Sequence, residues 1–220
     1  MIRAVCFDFD GTLAHFTGDF GRFVTSFRHE LMLTPCDFDA FSDVLSGELH
    51  REGPVTLYGA ARATLEGLEQ HPPEDLAGLV AHFLDDYSEQ MALLPGAKEA
   101  LEFCAARKLP LALITNGPED MQRAAVRAVD LEEYFQTILI SGDPDVAVRK
   151  PHPRIFELAC GALDSQPENT LMVGDNLEAD VRGALQYGMQ AVHLGTGTGG
   201  PGHETIADVQ AFGAWLKTHF

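Results

Sequence analysis

Two carboxylates stand one residue apart near the start of the chain, as Asp8 and Asp10 of the segment VCFDFDGTL. Side chains on a strand alternate between its faces, so residues two apart point the same way. Like charges held close in a partly dry place repel each other, and the pKa of one acid should rise. A fold tolerates such a pair when a cation lies between the acids or when one acid must carry a proton. The pair therefore predicts metal-ion or acid–base chemistry.

Further polar side chains follow later apolar segments. Thr115 and Asn116 end LPLALITN, Lys150 lies beyond FQTILIS, and Asp175 ends NTLMVGD. Ligands of open parallel sheets bind outside the carboxyl ends of the strands. If these segments are strands of one sheet, their polar groups meet Asp8 and Asp10 on one rim.

Two kinds of pattern divide the chain into regions. After residue 91, apolar strands alternate with helical segments, which predicts right-handed crossovers and a parallel sheet covered on both faces. Residues 16–90 instead carry roughly four amphipathic helices in a row. We predict an α/β fold with a doubly wound, Rossmann-like parallel sheet. Residues 1–15 and 91–220 would form this catalytic core, and residues 16–90 an inserted α-helical cap.

The composition is that of an acidic globular protein. The chain has 220 residues, of which 45% are hydrophobic, and a formal net charge of -18. Sequence-independent binding of nucleic acid needs lysine and arginine over the phosphates, so this charge argues against it. An anionic substrate would be attracted only by local cations or a metal ion.

Cysteine usage and hydropathy bear on the location of the protein. Cys6, Cys36, Cys104 and Cys160 are scattered without metal-like spacing, which favours buried, reduced thiols. Because two acids occur by residue 10, the start of the sequence lacks the apolar segment of a secretory signal. The sequence also lacks a run of ~18 apolar residues, so no membrane span is expected. We expect a cytoplasmic protein that binds neither nucleic acid nor membrane.

Four segments resemble the motifs of the haloacid dehalogenase superfamily, in its order and with its spacing. The strongest resemblance is to phosphatases with a helical cap inserted after the first motif. It covers most of the predicted core, whereas the cap matches only in its helical character. The segments are DFDGT (8–12), ITNG (114–117), RKPHPRIF (149–156) and GDNLEAD (174–180).

The resemblance implies a phosphatase that acts on a small phosphorylated metabolite. Asp8 would be the nucleophile toward phosphorus. Asp10 would protonate the leaving oxygen and then take a proton from water. The implied cofactor is Mg²⁺, held by Asp8, Asp175 and the backbone carbonyl of Asp10.

The resemblance also implies a phosphate site. Thr115 would hydrogen-bond the transferring phosphoryl group, helped by backbone amides around Gly11, Asn116 and Gly117. Thr12 belongs to the same phosphate-binding set and resembles a support for the first loop.

Two charged residues complete the implied site, and two positions depart from the family pattern. Lys150 would neutralise Asp8 and the phosphate, and Asp180 would hold a metal-bound water or orient Lys150. His15 stands where many relatives carry an acid, and Arg149 replaces a small residue before the lysine. These departures bear on cap movement and on access to Lys150.

Single residues argue for or against other functions found in the same superfamily. A sugar phosphomutase would use the same Asp8 and Asp10 and stays open, as does a non-catalytic scaffold that binds a phosphorylated ligand. Asp10 argues against a dehalogenase, whose relatives lack that acid. Residues 16–90 contain no lysine, which argues against a phosphonate hydrolase with a Schiff base from the cap.

Three unrelated patterns are weaker. Counted from Asp8, Leu13 and Asp19 stand where an EF-hand needs Gly and Glu. The glycine pattern GTGTGG (195–200) is followed by Pro201 and not by a helix, so a surface loop near the site is expected. The histidines form no zinc motif.

Substrate selection is assigned to the predicted cap. Its candidate contacts are Arg22, His50 and Arg51, although such residues are more often solvated surface. The sequence leaves the physiological substrate and the oligomeric state open.

Overall fold

A central parallel sheet organises the chain. The computed structural model describes residues 1–31, 38–197 and 199–219. Six strands lie in the order β5-β4-β1-β6-β7-β8, and every neighbouring pair is parallel. The strands are β1 (Ala4–Phe7), β4 (Leu111–Thr115), β5 (Thr137–Ile140), β6 (Thr170–Gly174), β7 (Gln190–Leu194) and β8 (His203–Ile206), and an antiparallel pair consists of β2 (Ala14–Phe16) and β3 (Met91–Leu93).

The helices fall into two sets. The helices between β2 and β3 are α1 (Phe20–Glu30), α2 (Phe38–His50), α3 (Leu57–Gly67) and α4 (Leu76–Glu89). The helices that follow β3 are α5 (Ala97–Ala106), α6 (Glu119–Ala128), α7 (Pro153–Ala162), α8 (Gly183–Tyr187) and α9 (Val209–His219). A π-helical segment, Leu177–Arg182, runs directly into α8.

Helices cover both faces of the sheet, and β1 shows why its sequence is apolar throughout. All four residues of this strand are buried. Val5 and Phe7 face one core layer, while Ala4 and Cys6 face the other. A parallel strand covered on two sides reads as a continuous apolar run, as the sequence predicted. The predicted α/β class and parallel sheet are confirmed.

The chain order places a crevice at the carboxyl end of β1. After β1, the chain builds β4 and β5 on one side and then crosses to build β6, β7 and β8 on the other. Loops leaving β4 and β6 therefore turn away from each other on either side of β1. Such a reversal of strand order is where open α/β sheets bind their ligands.

The strands β2, β3 and β8 are short and were not predicted from the sequence. The pair β2 and β3 joins the chain at the two ends of the helical segment, with Phe16 opposite Met91. The edge strand β8 carries the polar sequence HETI and pairs only with β7 among the described strands. Edge strands with one solvated side lack the apolar run that marks buried strands. The division into a core and a separate cap stays a prediction.

No helix in residues 1–31, 38–197 or 199–219 combines the length and the apolar character required to cross a bilayer.

Candidate active site

A cavity of about 220 Å³ opens at the carboxyl ends of β1, β4 and β6. The residues that line it are Asp8, Asp10, Thr115, Asn116, Lys150, Asp175, Asn176, Ala179 and Asp180. The strand-end residues predicted from separate segments of the sequence thus surround one space. Acidic side chains and one ammonium group dominate its wall.

Lys150 lies between two acids inside this cavity. Its Nζ is 2.5 Å from Asp8 Oδ1 and 2.7 Å from Asp180 Oδ1, and it donates to the carbonyl of Ile114 at 2.6 Å. Burial alone would lower the pKa of Lys150, but the charges of Asp8 and Asp180 outweigh burial and raise it. Lys150 therefore stays charged, and it compensates two buried carboxylates.

Asn116 holds the backbone of Lys150 in place. The Asn116 amide donates to the Lys150 carbonyl at 2.9 Å and accepts from the Lys150 N–H at 2.8 Å. This paired contact joins the end of β4 to the loop that precedes α7. Asn116 thus fixes the direction from which Lys150 enters the cavity.

Thr12 orients the Asp8 carboxylate through a hydrogen bond. It is fully buried, its hydroxyl donates to Asp8 Oδ2 at 3.0 Å, and it accepts from the Asp175 N–H at 3.1 Å. One side chain thus orients the first acid and the start of the loop that carries the second. This position favours the supporting function expected for Thr12.

Asp10 is the acid with the most perturbed surroundings among the predicted catalytic residues. Burial raises its pKa to about 6, the nearby charge of Asp8 acts in the same direction, and a hydrogen bond from Gln122 opposes them. The Gln122 amide donates to Asp10 Oδ2 at 2.9 Å. A carboxyl group tuned in this way exchanges a proton near neutral pH more readily than an ordinary aspartate.

The acids offer an arrangement of oxygens that fits a hard divalent cation. Carboxylate oxygens of Asp8, Asp175 and Asp180 lie within 4.8 Å of one another. Partial burial, and then the charge of Asp8, raises the pKa of Asp175, because like charges close together disfavour ionisation. Gly11 has φ +78°, and a Cβ at this residue would lie 2.3 Å from Asp175 Oδ2. A larger residue at position 11 would be strained at this φ and would push the Asp175 side chain away from the first loop.

Asp180 is the least suited of the three to bind a cation directly. It is fully buried, its Oδ1 is paired with Lys150, and its Oδ2 accepts from the Asn176 N–H at 3.0 Å. Burial raises the pKa of Asp180, and Lys150 opposes this shift. The contacts match one of the two functions expected for Asp180, the orientation of Lys150.

Some residues predicted for the site lie outside the cavity lining. The Gly11 N–H donates to the carbonyl of Ala14 at 2.8 Å, and the Gly117 N–H donates to Ser141 Oγ at 3.0 Å. Both amides are thus engaged within the loops, and phosphate binding by them stays a prediction. Thr115 lines the cavity, but its hydroxyl donates to Gln122 Oε1 at 2.9 Å, and phosphate binding by this hydroxyl also stays a prediction.

The candidate contacts from the helical segment are engaged elsewhere. Arg22 has a side chain that is 90% exposed and lies 3.6 Å from Asp19. Arg51 donates to the carbonyl of Pro54 at 2.6 Å, and the His50 ring contacts the carbonyl of Ser46. None of these three candidates lines the cavity in the described part of the chain.

The two positions that depart from the family pattern are not among the residues that line the cavity. His15 is exposed on β2, opposite Ala92 of β3. Arg149 is half-buried, and burial lowers its pKa while Glu52 opposes this shift. Thr198 and Cys36, which belong to the predicted glycine loop and to the cysteine set, lie outside the described residues.

The chain matches a known protein family over most of its length. A family model described as a haloacid dehalogenase-like hydrolase matches residues 2–188. The chain belongs to the haloacid dehalogenase-like hydrolase family. The resemblance inferred from the four motifs is confirmed, and the cavity described above lies where those motifs meet.

Relatives of this hydrolase include named phosphatases. A ribulose-1,5-bisphosphate 5-phosphatase of Halopiger xanaduensis is 30% identical over 203 residues, which cover 87% of this chain and 84% of that protein. A phosphoserine phosphatase of Thermus thermophilus is 43% identical over 105 residues, 48% of this chain and 41% of that protein. The second match thus spans less than half of either protein.

A solved structure supports the fold alone. The crystal structure of a 2-haloacid dehalogenase from Pseudomonas syringae pv. Tomato has a TM-score of 0.76 and 23% identity, with 100% of both chains covered. At this identity a shared fold says nothing about a shared reaction. Function must therefore be argued from the site of this hydrolase.

Three residues of the site were missed in the sequence. Ser141 ends the strand segment FQTILIS, so the strand-end rule that identified Thr115 could also have found it. Asn176 caps the π-helical segment by accepting from the N–H groups of Glu178 and Ala179. Gln122 is a polar residue on the buried side of α6, beside Met121. A buried amide among apolar neighbours is the signal that could have singled it out.

Proposed function

We propose that this hydrolase is a Mg²⁺-dependent phosphatase that hydrolyses a small phosphomonoester through a phosphorylated Asp8. The observation that carries the proposal is the convergence of Asp8, Asp10, Lys150 and Asp175 on one cavity. Each group has a chemical use in phosphoryl transfer, and the match with named phosphatases supports the substrate class.

In the first step, a carboxylate oxygen of Asp8 attacks phosphorus. The phosphorus–oxygen ester bond breaks, and its electron pair goes to the leaving oxygen, which takes a proton from Asp10. The ammonium group of Lys150, 2.5 Å from Asp8 Oδ1, stabilises negative charge on the carboxylate and on the phosphoryl group beside it.

In the second step, Asp10 removes a proton from water while the water oxygen attacks phosphorus. The bond between phosphorus and Asp8 breaks, the electron pair returns to the carboxylate, and inorganic phosphate leaves. Asp10 thereby becomes protonated again with a proton from water, which replaces the proton that left with the alcohol, and the cycle is balanced.

Asp8, Asp175 and the carbonyl of Asp10 are the proposed ligands of Mg²⁺. The bound ion would supply positive charge to the phosphoryl oxygens and to the attacking carboxylate. Asp180 would act through Lys150, given its contacts. The net charge of -18 makes these local cations necessary for attracting an anionic ester.

Residues 16–90 would form a cap that excludes water and selects the substrate. We further place the enzyme in the cytoplasm, because Cys6, Cys104 and Cys160 are free and buried. Neither nucleic acid nor membrane is a proposed partner.

Hydrolysis of p-nitrophenyl phosphate, measured with and without Mg²⁺, tests the proposal. Wild-type protein should release p-nitrophenol with Mg²⁺ and lose this activity in EDTA, and Asp8→Asn should be inactive. Activity that survives EDTA, or that persists in Asp8→Asn, would contradict it. With a sugar phosphate as substrate, free phosphate supports the phosphatase and an isomeric sugar phosphate supports the mutase.

A further inference from the structure

Gln122 links the predicted general acid to the end of a neighbouring strand. This side chain of α6 is only 5% exposed. Its Nε2 donates to Asp10 Oδ2 at 2.9 Å, and its Oε1 accepts from the Thr115 hydroxyl at 2.9 Å. Both ends of the amide are therefore held by groups of the cavity wall, although Gln122 itself is not part of that wall.

The direction of these hydrogen bonds follows from the carboxylate. An ionised carboxylate only accepts, so the NH₂ end of Gln122 must face Asp10. The oxygen end must then face Thr115, whose hydroxyl can donate. With the amide in this orientation, Oδ2 of Asp10 already accepts a hydrogen bond from Gln122. A proton carried by Asp10 must therefore sit on the other oxygen, Oδ1.

Space for this arrangement is made by Gly117. A Cβ on this residue would lie 2.8 Å from both Cγ and Nε2 of Gln122. Real Cβ atoms do not approach other heavy atoms so closely, so any larger residue at position 117 would displace the Gln122 side chain. The second sequence motif, ITNG, thus contains both a partner of Gln122 and the residue that makes room for it.

We propose that Gln122 is a positioning residue that fixes the carboxyl group of Asp10 so that its proton is presented from Oδ1. The inference rests on the proposed function, in which Asp10 protonates the leaving oxygen. Loss of the Gln122 amide leaves Asp10 able to rotate and to place its proton on either oxygen. Esters with a basic leaving oxygen need this proton, whereas p-nitrophenolate leaves with little protonation.

The test compares kcat/KM for two substrates in wild type and in Gln122→Met. Methionine has nearly the same length and no amide. For β-glycerol phosphate, kcat/KM should fall about ten-fold or more beyond its fall for p-nitrophenyl phosphate, since general acid catalysis supplies about 10²–10⁴-fold. The ratio kcat/KM reports only steps through the departure of the leaving group, so the second proton transfer of Asp10 does not enter.

Two further variants make the outcome decisive. Gly117→Ala, which displaces Gln122 without removing its amide, should show the same selective loss and covers the case in which Gln122→Met fails to fold. Gln190→Met is the control, because Gln190 donates to the Glu168 carbonyl at the opposite end of the sheet and should leave the ratio unchanged.

Equal losses for both substrates, or no loss, would overturn the positioning of Asp10 by Gln122. A wild-type protein that hydrolyses neither ester would instead remove the proposed function, and the inference would fall with it. The two failures are therefore distinguishable.

Discussion

Asp8 is held by one contact from its own loop and by one from a distant part of the chain. Thr12 donates to one carboxylate oxygen, and Lys150 pairs with the other. If Asp8 is the nucleophile, as proposed, a carboxylate fixed from both sides loses little orientational freedom when it reacts, and this restriction lowers the barrier to attack. At the scale of residues, the site depends on groups that do not themselves react.

Replacing Thr12 with valine should impair both stability and activity. Val keeps the shape but removes the acceptor of the Asp175 N–H and the donor to Asp8, and each lost hydrogen bond costs about 0.5–1.5 kcal/mol of unfolding free energy. Urea denaturation measures this loss, and kcat should fall because Asp8 is no longer oriented. Thr12→Ser retains the hydroxyl and should stay close to wild type. A Val variant with unchanged kcat would contradict the supporting function of Thr12.

Replacing Lys150 with methionine should be more damaging. Asp8 and Asp180 would then be buried without a counter-charge, and breaking a buried ion pair typically costs about 3–5 kcal/mol. Adding Asp180→Asn to Lys150→Met should recover part of that stability by removing one of the two charges. The exposed lysine of α5, replaced in Lys98→Met, is the matched control. Equal unfolding free energies for Lys150→Met and Lys98→Met would rule out this account.

At the scale of elements, α6 connects the sheet to the helical segment. Leu57, the first residue of α3, donates its N–H to Asp120 Oδ1 at 2.7 Å. Val55 accepts from the Glu119 N–H at 2.8 Å and donates to the Gly142 carbonyl at 2.9 Å. The helix that carries Gln122 therefore also anchors the start of α3.

Asp120→Ala should loosen this anchor. The α3 N-terminus would lose a side-chain acceptor, which costs about 0.5–2 kcal/mol for a helix cap. Amide hydrogen exchange at Leu57 should become faster, and kcat/KM should fall because the helical segment is less firmly held against the site. Asp75→Ala, which removes the cap that accepts from Gly78 N–H within the helical segment, is the control. It should destabilise the protein without faster exchange at Leu57, and identical exchange in both variants would refute the anchor.

The elements predicted best from the sequence are those whose residue pattern has a single physical cause. The segment around β1 is apolar because both of its faces are covered, and Asp8 and Lys150 were found because parallel strands end at one rim. β8 was missed because an edge strand needs no apolar run. Gln122 was missed because its function depends on how α6 packs beside the end of β4, which no local pattern reveals.

The directions in which backbone N–H groups point were harder to predict than the positions of their residues in the loops. Gly11 and Gly117 lie in the expected loops, but their N–H groups turn toward Ala14 and Ser141. A motif places a residue in a loop, whereas backbone dihedral angles decide where its amide points. Sequence spacing therefore located these residues without giving their contacts.

At the scale of the whole molecule, binding of a divalent cation to this acidic protein should increase the stability of the folded state. With free Mg²⁺ at 100 times its dissociation constant, binding to the folded state alone adds about 2.7 kcal/mol of stability. Adding Mg²⁺ should raise the midpoint temperature of thermal unfolding for the wild type, and should raise it much less for Asp175→Asn. Because ions also screen a net charge of -18, NaCl of equal ionic strength is the control. Equal shifts with Mg²⁺ and NaCl would contradict a specific site.

The proposed transfer of the phosphoryl group to Asp8 can be tested directly. Sodium borohydride reduces an acyl phosphate to an alcohol, so protein quenched with borohydride during turnover of p-nitrophenyl phosphate should carry homoserine in place of Asp8. Peptide mass spectrometry should find homoserine at position 8 in wild type, and none without substrate. Phosphate release with no modification at residue 8, or with homoserine at another acid, would contradict the account.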